Sequence, residues 1–167
     1  RGFNMGMKRS AFEAVGGYDV HFKTGEDMDL SIRIQQAGYR VGLISKAVVW
    51  HKRRSTLVQF FKQVRRFGSA RWALAKRHPG QLKVTHIFPV LLTLGTLCSI
   101  PLFALAKLPM LWVCLGYFTM PLVLAGVRYR SPHIGLLAVA STMVMMSGYA
   151  FGFLEALFGG GLHTKRG

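Results

Sequence analysis

Long apolar runs dominate the second half of the chain. Residues 87–106 and 108–127 are uncharged for 20 positions each, and residues 134–154 for 21. A helix rises about 1.5 Å per residue, so roughly 20 apolar residues match the hydrocarbon core of a bilayer. Each run predicts a transmembrane helix. Pro101 and Pro121 fall inside two of them, where neighbouring helices can absorb a kink. Gly148 and Gly152 form a small-xxx-small pattern that permits close helix packing. Glu155 stands near the end of the third run, as an interfacial carboxylate.

Ahead of these runs the period changes. Leu57, Phe60, Phe61, Val64 and Phe67 recur at helical spacing over residues 55–77, with Lys62, Arg65 and Arg66 between them and Arg71, Lys76 and Arg77 following. That pattern predicts a basic amphipathic helix lying in the membrane interface, drawn by anionic lipid. His78-Pro79-Gly80 ends it. Residues 1–50 read as compact α/β material. Residues 10–15 predict a short helix stopped by Gly16-Gly17. A second helix begins at Thr24, with Asp27 in capping-box spacing, presents Leu30, Ile34 and Ala37 on one face, and ends at Gly38. Residues 39–44 and 47–50 are short β-type runs. Two short helices and two short strands cannot close a sheet core. The expectation is an excerpt of a longer protein, or a chain completed by another.

Composition sharpens the division. The 167 residues are 51% hydrophobic, yet 22 Lys+Arg face only 6 Asp+Glu, for a net charge of +16. Mean hydropathy is +0.30. A disordered basic tail would lack the apolar content. Five of the six acids lie between Glu13 and Asp29, and Lys107 is the only charge from Ile87 to Val127. A nucleic-acid reading rests on net charge alone, because the basic stretch abuts a span and no recognition fold is visible. Cys98 and Cys114 sit among apolar neighbours as small hydrophobes. The positive-inside rule places the basic stretch and Arg128-Tyr129-Arg130 in the cytoplasm, and the Lys107-Leu108-Pro109 turn outside.

The informative polar cluster is Gly25-Glu26-Asp27-Met28-Asp29-Leu30. Acids at a helix N-terminus gain from the macrodipole, which is one reading. In a chain so poor in acids, three within four residues also point to a site. A carboxylate beside a sugar hydroxyl can act as general base and let that oxygen attack an activated carbon. Asp27-Met28-Asp29 also has acid-x-acid spacing, but it opens a helix instead of ending an apolar strand.

An ordered series of motifs resembles family 2 glycosyltransferases. It comprises Gly2-Phe3-Asn4, the stretch from Lys8 to Asp19, Gly25-Glu26-Asp27-Met28-Asp29-Leu30-Ser31-Ile32-Arg33 and Ala37-Gly38-Tyr39-Arg40-Val41. Arg66-Phe67-Gly68, Arg71-Trp72 and Lys76-Arg77-His78-Pro79-Gly80 extend the likeness to the bacterial exopolysaccharide branch of succinoglycan-type glucosyltransferases. The resemblance implies a partial α/β fold, the C-terminal part of a GT-A domain, over residues 1–53. A basic interface helix and linker would follow at 54–85, three transmembrane helices at 86–158 and a tail at 159–167, making the chain predominantly α. It implies an inverting transferase in the bacterial inner membrane, multi-pass, with its catalytic part cytoplasmic.

By the same resemblance Asp27 would be the general base, with Glu26 supporting the acceptor site and Asn4 lining the cleft. Gln63-Val64-Arg65-Arg66-Phe67 resembles a relaxed Gln-x-x-Arg-Trp motif, so Gln63, Arg66 and Phe67 would bind substrate and Arg66 would steady the departing diphosphate. Phe67 stands where processive synthases prefer Trp. His51 would approach a metal-diphosphate. A divalent metal, Mg or Mn, would be held mainly by residues outside this chain, which would then be inactive alone. The implied partners are a nucleotide-sugar donor, UDP-glucose foremost, a lipid-linked saccharide acceptor and membrane lipids, with no nucleic acid. The rival is a non-catalytic membrane anchor whose acids only cap a helix.

Overall fold

The computed structural model describes residues 4–20, 22, 24–52, 54–106 and 110–159. Gly2-Phe3, the Lys107-Leu108-Pro109 turn and the Lys165-Arg166 tail lie outside the described residues. The chain divides into two compact units, with the division falling between residues 53 and 54.

The first unit holds α1 (Arg9–Ala14) and α2 (Glu26–Gln36). Helix α1 ends in Gly16 and Gly17 at φ of 72° and 71°, the left-handed exit that glycine makes without steric cost. Gly17 also has no room for a side chain, since a Cβ would come within 2.9 Å of the Phe12 ring. Helix α2 buries Leu30 and Ile34, one turn apart on the expected face. Its cap is Gly25 at φ 87°, with no side-chain hydrogen bond, so Thr24 does not cap it.

The expected α/β character is not found. Among the described residues there is no strand: 39–44 and 47–50 form no ladder and are joined by a turn in which the Ala47 amide donates to Ile44 O at 3.1 Å. Their apolar side chains stand in the open, with Leu43 95% and Trp50 100% exposed. The reason is physical. A β-type run becomes a strand only when a partner supplies its hydrogen bonds and packs its faces. No described segment does so.

The second unit is helical: α3 (Leu57–Arg77), α4 (Val84–Ala106), α5 (Met110–Arg128) and α6 (Pro132–Leu157). Thr56 Oγ1 caps α3 by accepting the Gln59 amide at 3.2 Å, and Ser131 caps α6 with Pro132 in its first turn. Helix α3 lays Val64, Gly68, Ser69, Ala70 and Leu74 against its neighbours. Its main partner is α6. The two backbones touch: a Cβ at Gly68 would collide with Tyr149 O, one at Gly152 with Arg65 O, and one at Gly148 would crowd Phe61. The small-residue pattern of α6 thus does receive a helix, and that helix is α3. Val90, Ala150 and Phe153 form the core of this junction, with Trp72, Leu82, Tyr149 and Leu154 packed around them.

The expected set of three transmembrane helices is also corrected. Among the described residues only α6 is long and apolar enough to cross a bilayer; α4 and α5 contribute only the shorter apolar stretches Val84–Ser99 and Trp112–Arg128. Pro89 and Pro101 lie inside α4, and Pro121 inside α5. In an up-down-up path, the start of the first span and the end of the third face opposite sides. Here Val90, near the start of α4, clusters with Ala150 and Phe153 in the last third of α6, and Leu82, before α4 begins, packs against that cluster. An uncharged run of 20 residues shows that a segment avoids water. It does not show where the segment points.

Candidate functional site

The acid cluster opens α2. Glu26 is the first helical residue and is exposed. Asp27 is half-buried, its Oδ1 accepting the Met28 amide at 2.9 Å, and Ser31 Oγ donates to Asp27 O at 2.7 Å. The Met28 amide holds the Asp27 carboxylate at the positive end of the helix, where an anion is favoured. Asn4 donates through Nδ2 to Ala47 O at 3.2 Å, tying the start of the first unit to the stretch that leads to His51. His51 lies in irregular backbone and is exposed.

Asp29 has a different task, which the motif alone did not reveal. It is fully buried. Its Oδ2 accepts Arg33 Nε at 2.8 Å, and the same guanidinium donates to Val15 O at 2.6 Å and to Gly17 O at 2.7 Å. Arg33 thereby satisfies carbonyls left over where α1 exits, and Asp29 balances its charge. The four-residue spacing of Asp29 and Arg33 was the available signal, since it places them on one helical face.

Asp29 is thus engaged in holding the exit of α1. Among the described residues no three His, Cys, Asp or Glu gather into a group that could hold a cation.

Gln63, Arg66 and Phe67 belong to the second unit, on α3. Their i, i+3, i+4 spacing sets them along one side of the helix. Gln63 is half-buried, whereas Arg66 and Phe67 are exposed. Arg65, between them in sequence, turns instead to α6. It meets Glu155 through two hydrogen bonds, Nε to Oε2 at 2.9 Å and Nη2 to Oε1 at 2.6 Å, and its guanidinium lies 5.2 Å from the centre of the Phe151 ring. The hydrogen bond to Glu155 raises the Arg65 pKa above its ordinary value. Sequence reading treated Glu155 as an isolated interfacial acid and missed this pair, because 90 residues separate its members.

A third feature is the start of α4. The Lys83 amide donates to His86 Nδ1 at 3.0 Å. His86 is three residues beyond the cap, so its ring does what Glu or Gln does in a capping box. Burial, and then the charges of Arg71 and Lys83, lower its pKa.

Comparison with known proteins bears on what these residues serve. The family model described as glycosyl transferase family group 2 matches residues 2–154. The chain is 32% identical over 157 residues to the succinoglycan biosynthesis protein ExoA of Rhizobium meliloti, covering 90% of this chain and 46% of that protein. It is 39% identical over 56 residues to the O-antigen chain rhamnosyltransferase WbaN of Salmonella anatum, covering 34% of this chain and 18% of that one. It is 36% identical over 72 residues to the pre-mycofactocin glycosyltransferase of Mycobacterium tuberculosis, 43% of this chain and 15% of that protein. The chain spans less than half the length of each of these relatives. No solved structure matches it. The match over nearly all of its length makes the chain a member of glycosyl transferase family group 2.

Proposed function

We propose that the protein transfers a sugar from a nucleotide-sugar donor to a saccharide acceptor at a membrane surface, with inversion at the anomeric carbon. The observation that carries the reading is the placement of Asp27. It is a half-buried carboxylate fixed at a helix N-terminus, beside a second acid whose charge Arg33 has already neutralised. In the proposed step Asp27 takes the proton of the acceptor hydroxyl, and the freed oxygen attacks the anomeric carbon. The bond to the nucleotide diphosphate breaks, and the diphosphate departs with the electron pair. Glu26 supports the acceptor, and Arg66 meets the charge of the leaving group. One base and a stabilised leaving group suffice for inversion.

The relatives' names, in succinoglycan biosynthesis and O-antigen chain transfer, support a growing polysaccharide as the acceptor. A lipid-linked acceptor fits the second unit. Leu91, Leu94, Leu97, Val123, Leu124 and Leu136 are exposed on its apolar helices, a surface suited to lipid. Helix α3, rich in Lys and Arg, suits the anionic cytoplasmic face. Asn4, Gln63 and Phe67 are the remaining proposed substrate contacts, and UDP-glucose is the first donor to test.

The test is Asp27→Asn in the intact protein, assayed in membranes for transfer of radiolabelled glucose from UDP-glucose into lipid-extractable product. Loss of a general base lowers the rate by roughly 100-fold or more. Undiminished transfer at normal expression would remove Asp27 from the chemistry and favour the anchor reading.

A further inference from the structure

Glycines bring α3 and α6 together. A Cβ at Gly148 would crowd Phe61, one at Gly152 would collide with Arg65 O, and one at Gly68 with Tyr149 O. Such contacts set how close the two helices lie. At these three positions they offer no side-chain ridge to stop one helix rolling on the other, since ridges and grooves are made of side chains. The roll of α3 needs a further constraint.

The Arg65 side chain supplies it. Its guanidinium donates two hydrogen bonds to Glu155 and lies over the Phe151 ring. Phe151 and Glu155 are one turn apart on α6, so the planar group is held at two points. Glu155 is the only acid between residues 54 and 164, a stretch with eleven Lys or Arg. It takes the arginine of the Gln63–Phe67 stretch that turns to α6. Arg66, the next residue, follows about 100° further round the helix and is exposed. A roll of about 10° moves a side chain lying about 6 Å from the helix axis by about 1 Å. Misplacing a reacting group by that distance can cost about 100-fold in rate.

We propose that Glu155 is a positioning residue for sugar transfer: through Arg65 it fixes the roll of α3 on α6 and so aims Arg66 at the departing diphosphate. This role presupposes that Arg66 meets the leaving group, as proposed above. Glu155 acts only through Arg65.

The experiment measures transfer from UDP-glucose by the intact protein in membranes, at matched expression and varied donor concentration. Glu155→Gln should lower kcat at least about tenfold and change KM less than about threefold, because Arg66 meets charge that develops as the bond breaks. Arg66→Ala should lower kcat as well, and adding Glu155→Gln to it should cost nothing further. Lys62→Gln, on the same helix, should leave kcat unchanged. The roll is also read without activity. Nitroxide labels on Arg66→Cys and Leu137→Cys, in a background of Cys98→Ser and Cys114→Ala, give a distance distribution by pulsed electron resonance, and Glu155→Gln should broaden it. An unaltered kcat or an unaltered distribution in Glu155→Gln would overturn the proposal. So would losses that multiply in the double variant, since Glu155 would then act independently of Arg66. A lowered kcat in Arg66→Ala beside an unaltered Glu155→Gln would overturn the positioning role alone. Arg66→Ala at the parental rate would overturn the leaving-group assignment, and the positioning role with it.

Discussion

Arg65 and Glu155 join the two most closely packed helices of the protein by a two-pronged ion pair, with N to O distances of 2.9 Å and 2.6 Å. The side chains are 33% and 22% exposed, so water screens the pair only in part. Its position carries the meaning. Arg65 lies between Gln63 and Arg66 in sequence, and anchoring it on α6 sets the roll of α3. The side carrying Gln63, Arg66 and Phe67 is thereby held in one direction.

Replacing Glu155 with Gln should therefore loosen α3 without unfolding it. The cost expected is about 1 kcal/mol, between that of an exposed pair and that of a buried one. Hydrogen exchange should rise along α3 while α5 keeps its protection. Protection unchanged in α3 would show that the glycine contacts alone fix the helix.

The glycine contacts make a sharper prediction. Gly152→Ala drives a methyl group into Arg65 O, and backbone cannot give way as a flexible side chain can. Overpacking should outweigh the gain in helix propensity and destabilise the α3–α6 junction by about 2 kcal/mol. Gly116→Ala in α5, where a Cβ meets nothing within 4 Å, should be neutral or slightly stabilising. Thermal melts of the two variants in the same detergent compare them directly.

In the first unit the two aspartates of Asp27-Met28-Asp29 should separate by kind of defect. Asp29→Ala leaves the Arg33 charge without its partner in a buried setting, at a cost of about 3 kcal/mol. The amides of α2 should lose protection from exchange. Asp27→Asn should leave those amides protected while transfer activity falls. Equal loss of protection in both variants would contradict the division of labour.

The cap of α4 should respond to pH. His86 must keep Nδ1 unprotonated to accept the Lys83 amide, and its pKa is lowered in the folded protein by burial and by Arg71 and Lys83. Below about pH 6.5 the unfolded chain takes up the proton first, so stability falls as pH drops from 6.5 towards the lower folded value. The fall levels off beneath it. His86→Gln retains an acceptor that does not titrate and should flatten this dependence. Exchange of the first-turn amides of α4 at pH 7.5 and 5.5 measures it, with about 0.5 kcal/mol expected for a cap of this kind.

How far each feature was legible follows from the range of the interactions that make it. Local periodicity was enough for the helices. The repeat of Leu57, Phe60, Phe61 and Val64 marked α3, the uncharged runs marked α4, α5 and α6, and Gly16-Gly17 marked the exit of α1, because hydrogen bonds four residues apart build all of these. The order of motifs from Asn4 to Gly80 was enough for the family. Residues 39–50 had strand-like side chains, but a strand is a relation between segments, and no described segment completes it.

What the residue order determined by itself is the set of helices, the separation of acids from bases and the family to which the chain belongs. Tertiary structure alone decided that α3 lies against α6, that Arg65 answers Glu155, that Arg33 reaches the carbonyls of Val15 and Gly17, and that the start of α4 meets the end of α6. Each of these joins residues far apart in the chain, so no neighbour in sequence anticipates it. Periodicity states which face of a helix avoids water. Only packing states what covers that face.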